Sequence, residues 1–259
     1  MRSPPSLPTT VGRAERGDNL FRGHSVASEL AGRATRWRAV ALAVGHPDLH
    51  PDHEALLDDM VVCSLAADPH IWPLKVTRIV AAFGRVVPAI ATGMLCTAGG
   101  FMGWGTYAPA ARFLVDLREA ADPAAKLEAW LETTRHIPGF GVAFRGEDER
   151  AIAFRRCATD RGATTGAHWQ ALELAEARLR PRGAPPNIAA LSAAVLLDVG
   201  FSPAQIDALG PVLLLPNYLA NAVEGAAQAP ELLRRLPADA LDDRTPPPRE
   251  SPRAGGRDR

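Results

Sequence analysis

The sequence predicts an all-α protein, and two observations lead to that class. Apolar residues recur at helical spacing along almost the whole chain, and no segment alternates apolar and polar residues cleanly enough to be a strand. Turn residues also mark the ends of the helical segments, because glycine ends a helix in a left-handed conformation and proline fits a first turn. The glycines are Gly84, Gly162 and Gly200, and the prolines are Pro73, Pro123 and Pro186.

Eleven segments carry the helical spacing. In chain order they are 26–44, 52–67, 73–84, 86–99, 108–120, 123–134, 148–162, 166–180, 186–200, 202–226 and 229–236. Pro51 and the acidic residues after it favour the start of the second segment, since carboxylates are stabilised near a helix N-terminus. Ser202 is a natural N-cap and Pro203 a natural first residue. The last two long helices are therefore expected to meet at a tight corner.

Composition and charge narrow the function classes. The chain has 259 residues, 47% of them hydrophobic and 22% charged, which is enough to bury one large core or two smaller ones. It carries 29 basic and 29 acidic residues, so no net field attracts nucleic acid or an anionic membrane. Nucleic acid is not expected as a partner.

The cysteines and the chain ends indicate a cytoplasmic protein. Cys63, Cys96 and Cys157 are odd in number and widely spaced, which argues against a disulfide framework or a Cys-x-x-Cys metal site. The ends, 1–18 and 242–259, are rich in proline and charge, and neither resembles a secretory signal. We expect both to be disordered tails.

Residues 86–111 could instead form a membrane-spanning helix, because the segment has no charged residue and is long enough to cross a bilayer. Five glycines and two prolines interrupt it, and no strong basic cluster flanks it. A buried or interface helix followed by a glycine-rich turn is the simpler interpretation. We therefore expect no membrane segment.

Two motifs of the chain resemble those of a known family. "IPGFGVAFRGEDERA", 137–151, resembles "IPGFGHPLY…DPRA", and "PPNIAALSAAVLLDVGFSP", 185–203, resembles "PNVD…ALLLDLGFP". Less specific similarity covers 21–62 and 74–100. On these motifs the chain resembles the citrate synthase family, particularly its short members that include citryl-CoA lyase-like proteins.

The resemblance implies an architecture. A citrate synthase-like fold has a large helical domain, a smaller helical domain inserted into it, and a cleft between the two. The implied large domain covers 19–105 and 187–241, and the inserted domain covers 106–186. The resemblance also implies a dimer packed through large-domain helices, formed by two copies of this chain or with an active relative.

The resemblance also implies a chemistry whose residues this chain lacks. In the family a carboxylate removes a proton next to the thioester of acetyl-CoA, one histidine stabilises the enolate, and a second polarises the ketone. The corresponding positions here are Met102 or Gly103, Val142 and Ala189, and a late substrate arginine falls on Leu214 or Leu215. None of these side chains transfers a proton or polarises a carbonyl.

Other positions keep residues that the family uses for binding. Arg150 has the register of a carboxylate-binding arginine, and His70 lies near a substrate-binding histidine. The family's coenzyme A site is matched at Gly139, Phe140 and Gly141, whose backbone corresponds to an adenine cradle, and at Arg145, which corresponds to a residue that meets a CoA phosphate. The implied ligands are coenzyme A or an acyl-CoA and a small carboxylate, with no covalently bound cofactor.

Simpler interpretations of these residues stay open. Arg150 can begin a helix and pair with Glu147 or Asp148 on the surface, and His70 can be a packed or hydrogen-bonded histidine. The run "HPDLHPDHE", 46–54, has spacings that suit a metal ion, but it also suits an interhelical loop and a helix start. Because the resemblance places a loop here, we expect no metal site.

Three functions follow as hypotheses. The leading one is a citrate synthase-like protein that binds a CoA thioester, a carboxylate or both, and has lost the condensing residues, so that it is non-catalytic or regulatory. The alternative is an acyl-CoA:oxo-acid C-acyltransferase or citryl-CoA lyase-type carbon–carbon lyase with altered chemistry that recruits His70, Arg150 and Asp148. The third is a purely structural subunit.

Overall fold

A computed structural model describes residues 6–46, 49–97, 102–134, 136–142 and 146–229. Its α-helices are α1 (Arg36–Ala43), α2 (Pro51–Cys63), α3 (Trp72–Ala81), α4 (Val86–Thr97), α5 (Tyr107–Glu119), α6 (Pro123–Thr133), α7 (Glu149–Asp160), α8 (Ala167–Leu179), α9 (Ile188–Asp198) and α10 (Pro203–Ala226). A π-helical turn, Val26–Leu30, precedes α1, and 3-10 turns cover Gly103–Thr106 and Arg180–Arg182. The predicted all-α class is confirmed.

Most of the predicted helix ends are confirmed as well. Gly84, Gly162 and Gly200 follow α3, α7 and α9 with φ angles of 84°, 70° and 104°, which lie in the left-handed region. Ser202 caps α10: its hydroxyl accepts from the Gln205 amide, and the Gln205 side chain accepts from the Ser202 amide. The corner between α9 and α10 is therefore built from local signals.

Two predicted elements differ in the structure, and a third is not covered by it. The segment 26–44 is divided, because a π-helical turn ends at Leu30 and α1 begins only after the Thr35 cap. Pro186 is not a first helical residue; it pairs with Phe140 in an isolated β-bridge, and Asn187 caps α9 instead. The segment 229–236 lies outside the described residues, apart from its first residue.

A small antiparallel sheet corrects the expectation that no strand forms and that 1–18 is wholly disordered. The strands β1 (Gly12–Glu15), β2 (Asp18–Phe21) and β3 (His24–Ser25) lie in sequential order. The Asp18 carboxylate accepts from the Ser25 hydroxyl and the Ala27 amide, which ties the sheet to the π-helical turn. All of β1 is exposed, so the sheet has no buried face to impose an apolar alternation on the sequence.

The core is built around α9. Its ten residues from Ile188 to Leu197 are all buried, as expected for a helix that is apolar on every side. α5, α7 and α8 pack against it and contribute large buried side chains such as Phe113, Phe154 and Trp169. Burial of one such side chain contributes about 1.5–3 kcal/mol.

A second group consists of α3, α4 and α10, which pack against one another. Among the described helices, α10 is long and apolar enough to cross a membrane by length and composition, but half of that apolar window is buried inside the protein. The other apolar segment, 86–111, is not one helix, since α4 ends at Thr97 and α5 begins at Tyr107. Neither observation indicates a membrane protein.

Gly225 allows α10 to lie directly on the α3 backbone. A Cβ atom at this position would lie 2.7 Å from the Arg78 carbonyl oxygen and 2.9 Å from the Arg78 Cα. The Arg78 guanidinium in turn binds Glu224 and Asn221 of α10. Close packing and an ion pair thus fix the two helices at the same point.

We expect Gly225→Ala to destabilise the protein by about 1–3 kcal/mol, because the added methyl group meets backbone that cannot rotate away. Urea unfolding followed by circular dichroism measures the change. Gly146→Ala is the matched control, since none of the described atoms lies within 4 Å of a Cβ at that position. Equal stability of Gly225→Ala and the wild type would contradict the close approach.

Candidate functional site

The Pro-Gly-Phe-Gly turn lies in the connection between α6 and α7 and pairs with the segment that leads into α9. The Gly141 amide donates to the Pro185 carbonyl at 2.7 Å, and the Asn187 amide donates to the Gly139 carbonyl at 2.9 Å. The Asn187 side chain also donates to the Gly141 carbonyl at 3.1 Å. Three hydrogen bonds therefore fix the turn against the start of α9.

Both glycines of the turn are required by its shape. Gly139 and Gly141 have φ angles of 84° and 86°, which other residues rarely adopt. A Cβ at Gly139 would lie 2.8 Å from the Ala190 Cβ and 3.0 Å from the Ala110 Cβ, so this side of the turn lies directly on α9 and α5. At Gly141 no atom of the residues that the structure describes lies within 4 Å of a Cβ. Among those residues, one side of the turn is packed and the other is open.

The positions that the resemblance aligns with catalytic residues are apolar or lack a side chain. Val142 is half-buried beside the turn. Ala189 is buried in the first turn of α9, and its amide donates to the Asn187 side chain at 3.0 Å. At Gly103 a Cβ would lie 3.1 Å from the Thr97 methyl group and 3.8 Å from the Tyr218 hydroxyl, so other side chains occupy that space.

Asp148 and Arg150 form a charged pair at the start of α7. The Asp148 side chain is 1% exposed and accepts from Arg150 Nε at 2.8 Å and from Arg150 Nη2 at 3.0 Å. It also caps α7 by accepting from the Arg150 amide, and it accepts from the Ile188 amide at 2.9 Å. Arg150 therefore pairs with Asp148, as one simple interpretation expected, but the carboxylate is buried and joins α7 to α9.

The pair shifts the ionisation of both groups. Burial acts to raise the pKa of Asp148, but the hydrogen bonds and charge of Arg150 outweigh it and hold that pKa below its usual value. Burial likewise acts to lower the pKa of Arg150, and Asp148 raises it above its usual value. Both groups stay charged at neutral pH, so Asp148 is a poor candidate for a general base.

Part of the Arg150 guanidinium does not contact Asp148. Asp148 occupies Nε and Nη2, which leaves Nη1 as the nitrogen not used by the carboxylate. About a third of the side chain is exposed. A ligand carboxylate can therefore meet one edge of Arg150, whereas the two-nitrogen edge that favours bidentate binding is already taken.

Tyr107 and two serines lie near this pair, and the sequence motifs gave no indication of them. The Tyr107 hydroxyl lies 3.3 Å from the Ser64 hydroxyl, and Arg150 is near enough to act on its charge. Burial raises the pKa of Tyr107, and the hydrogen bond with Ser64 opposes that effect. Ser192 is itself fully buried on α9. Asn187 was missed too, although an asparagine just before an apolar run is a recognisable N-cap signal.

The structure does not bring His70 into an enclosed site. Its side chain is 93% exposed, and its Nδ1 lies 2.7 Å from the Asp68 carboxylate. This agrees with a hydrogen-bonded surface histidine, and a ligand role for His70 stays a prediction. Arg145, the predicted phosphate contact, lies outside the described residues.

A groove of about 660 Å³ lies beside the site, between α7 and α8. Its charged residues largely neutralise one another, because Arg155 pairs with Glu176 and Arg180 pairs with both Glu147 and Glu176. None of the predicted binding residues lines it. Across the residues that the structure describes, no group of three histidine, cysteine or acidic side chains is arranged to hold a metal ion.

Comparison with known proteins relates this architecture to other structures. No protein-family model and no curated protein matches the chain. The citryl-CoA lyase of Hydrogenobacter thermophilus superposes with a TM-score of 0.81 and 20% identity, over 95% of this chain and 97% of that one. The ATP citrate lyase of Methanosaeta concilii gives 0.75 and 15%, over 95% of this chain and 43% of that one.

A citrate synthase of Thermoplasma acidophilum superposes with a TM-score of 0.61 and 15% identity, over 82% of this chain and 57% of that one. The chain therefore spans less than half of the ATP citrate lyase and somewhat more than half of this citrate synthase. These superpositions show that the protein has a citrate synthase-like fold. At 15–20% identity they establish the fold alone.

We expect Asp148→Asn to destabilise the protein by about 2–4 kcal/mol at pH 7, because it leaves the partly buried Arg150 without its counter-charge. The folded-state pKa of Asp148 is lowered, so its contribution is present above the unfolded value of about 3.9 and is lost as the pH falls through the folded value. The difference between wild type and variant should therefore shrink below about pH 4.

Urea unfolding from pH 7 to pH 3 measures that difference. Asp160→Asn is the control, because Asp160 is an exposed carboxylate at the end of the same helix. It should change the free energy of unfolding by less than about 0.5 kcal/mol. Equal effects of the two substitutions would show that the Asp148 pair does not stabilise the fold.

Proposed function

We propose that this protein binds coenzyme A or a CoA thioester, and a small carboxylate at Arg150, without performing the condensation or cleavage typical of its fold. The observation that carries the proposal is the turn at Gly139–Gly141. Its backbone is fixed by three hydrogen bonds, while the adjacent Val142 has no group that transfers a proton.

Structural neighbours support the choice of ligand. The ATP citrate lyase was solved in complex with (3S)-citryl-CoA, and the citrate synthase in a ternary complex with carboxymethyl coenzyme A and oxaloacetate. Among the described residues none crowds the Gly141 side of the turn, which is compatible with a ligand there. The N–H groups of Phe140 and Gly141 already donate to the carbonyls of Ile137 and Pro185, so these two donors are not available to a ligand. A ligand would therefore contact the surface of the turn and its other polar atoms.

The apolar residues at the positions expected to be catalytic support a binding rather than a catalytic role. General acid–base groups typically contribute 10²–10⁴-fold each, and donors to a developing oxyanion contribute about 10²–10³-fold. The polar groups nearest the described site do not replace them. Asp148 is buried and ionised in its pair, and Tyr107 is 2% exposed.

An exposed apolar stripe supports a homodimer. Leu215, Leu219 and Val223 recur at intervals of one helical turn along α10, and all three are exposed. Val87 and Leu95 are exposed on the neighbouring α4, which contains no charged residue. Such a face is unusual on a monomer, and a second copy of the same face matches it by two-fold symmetry.

The central test combines binding with turnover. Calorimetric titration of the full-length protein with coenzyme A and acetyl-CoA should show saturable binding, and the same ligands should raise the melting temperature by mass action. Incubation with acetyl-CoA plus oxaloacetate, or with citryl-CoA, should leave both unchanged at enzyme-like rates. Turnover with binding would favour the acyltransferase or lyase alternative, and neither binding nor turnover would favour a structural subunit.

We expect Asn187→Asp to weaken coenzyme A binding by about two- to tenfold, the equivalent of one net hydrogen bond. The aspartate keeps the α9 cap but loses the donor that holds the Gly141 carbonyl. Asn19→Asp, in the exposed β2 strand, is the matched control and should bind as the wild type does. Unchanged affinity of Asn187→Asp would show that the fixed turn does not contribute to binding.

We expect Leu219→Glu to convert the proposed dimer to a monomer, because it places a charge in the middle of the apolar stripe. Sedimentation velocity ultracentrifugation measures the mass. Ile152→Glu serves as the control, since Ile152 is an exposed apolar residue on α7 outside the stripe. A wild-type protein that sediments as a monomer would exclude the dimer.

A further inference from the structure

Two cysteines that are far apart in sequence lie together where α2 meets α7. Cα atoms of the two helices approach within 8 Å. Asp59 of α2 pairs with Arg161 just after α7, and Cys63 and Cys157 lie one turn further along each helix in opposite directions. This antiparallel arrangement brings the two thiols close enough for each to act on the other's charge.

The surroundings of the two thiols permit reaction with a small reagent. Both cysteines are free, and both are partly exposed. The Arg156 guanidinium lies close enough to Cys63 to favour its thiolate. A positive charge at this position also attracts an anionic reagent. Cys96, in contrast, lies on α4, which packs against α3 and α10.

We propose that Cys63 and Cys157 form a redox modification site, which an anionic low-molecular-weight disulfide of the glutathione class oxidises to an intramolecular disulfide. In the first step the Cys157 thiolate attacks one sulfur of the reagent, whose S–S bond breaks and releases one thiolate. In the second step the Cys63 thiolate attacks the Cys157 sulfur and releases the second thiol. The two protein thiols lose two protons and two electrons, and the reagent is reduced to two thiols.

The order of the two steps follows from the environment of Cys63. Burial, together with the neighbouring Cys157, raises the pKa of the Cys63 thiol to about 11, so it is poorly suited to start the exchange. Once Cys157 is part of a mixed disulfide it no longer carries a charge, and its contribution to that raised pKa is lost. The first step therefore promotes the second.

The bond would join parts of the chain on either side of the proposed binding site. Cys63 ends α2, in the segment expected to belong to the large domain, and Cys157 lies two turns after Arg150 on α7. The covalent link would restrict movement of α7 relative to α2. Its effect on coenzyme A affinity rests on the proposed function, whereas formation of the bond does not.

Mass spectrometry of the full-length protein tests the bond directly. After incubation with oxidised glutathione at pH 8 and alkylation of free thiols, the proposal predicts a species about 2 Da lighter than the reduced protein before alkylation, in which only one cysteine reacts with the alkylating reagent. Proteolysis should yield a peptide pair linked through Cys63 and Cys157. The yield should be independent of protein concentration, and the reaction should accelerate as the pH rises.

Variants separate this bond from other reactions. Cys63→Ser should stop at a stable mixed disulfide on Cys157, whereas Cys96→Ser should close as the wild type does. A wild-type protein that stays a mixed disulfide, remains unreacted, or links through Cys96 would overturn the proposal. Peptide mapping of the wild type decides the question even if a serine variant does not fold.

Coenzyme A titrations of the reduced and oxidised forms test the consequence for binding. A change in Kd of fivefold or more, about 1 kcal/mol, would support control of the proposed site by the disulfide. Equal Kd values would overturn that control. If the reduced protein binds no coenzyme A, the proposed function fails, and the mass measurement still decides whether the disulfide forms.

Discussion

The Asp148 carboxylate is the group on which the arrangement of the candidate site depends. It caps α7, accepts a hydrogen bond from the first amide of α9 and pairs with the Arg150 guanidinium. One buried charge therefore positions the starts of two core helices. A buried carboxylate is tolerated only where its oxygens are satisfied and its charge is matched. Here four donors meet that requirement: one guanidinium supplies two of them, and two helix starts supply the others.

This arrangement changes what Arg150 can do. A free guanidinium recognises a carboxylate through two parallel hydrogen bonds, but Asp148 already occupies such an edge. Tyr107 is near enough to the pair for Arg150 to act on its charge, and its hydroxyl lies 3.3 Å from that of Ser64. The site therefore combines polar groups near Arg150 with apolar residues at Val142 and Ala189.

Local signals predicted the helices well and the site only in part. Caps such as Ser202 and Gly200 act within a few residues, so the corner between α9 and α10 could be predicted from sequence. The sheet could not, because its exposed strands leave no alternating pattern. The partner of Arg150 was equally inaccessible: Glu147 and Asp148 are both near in sequence, and only the position of α9 decides which one is buried.

The turn at Gly139–Gly141 owes its shape to glycine conformations, to Asn187, and to contacts with Ala110 and Ala190. None of these involves the side chain of residue 142. The scaffold and its functional group are thus separable, so selection can remove or restore an imidazole at this position without rebuilding the loop. A position of this kind can change the chemical group that the turn presents while the fold is preserved.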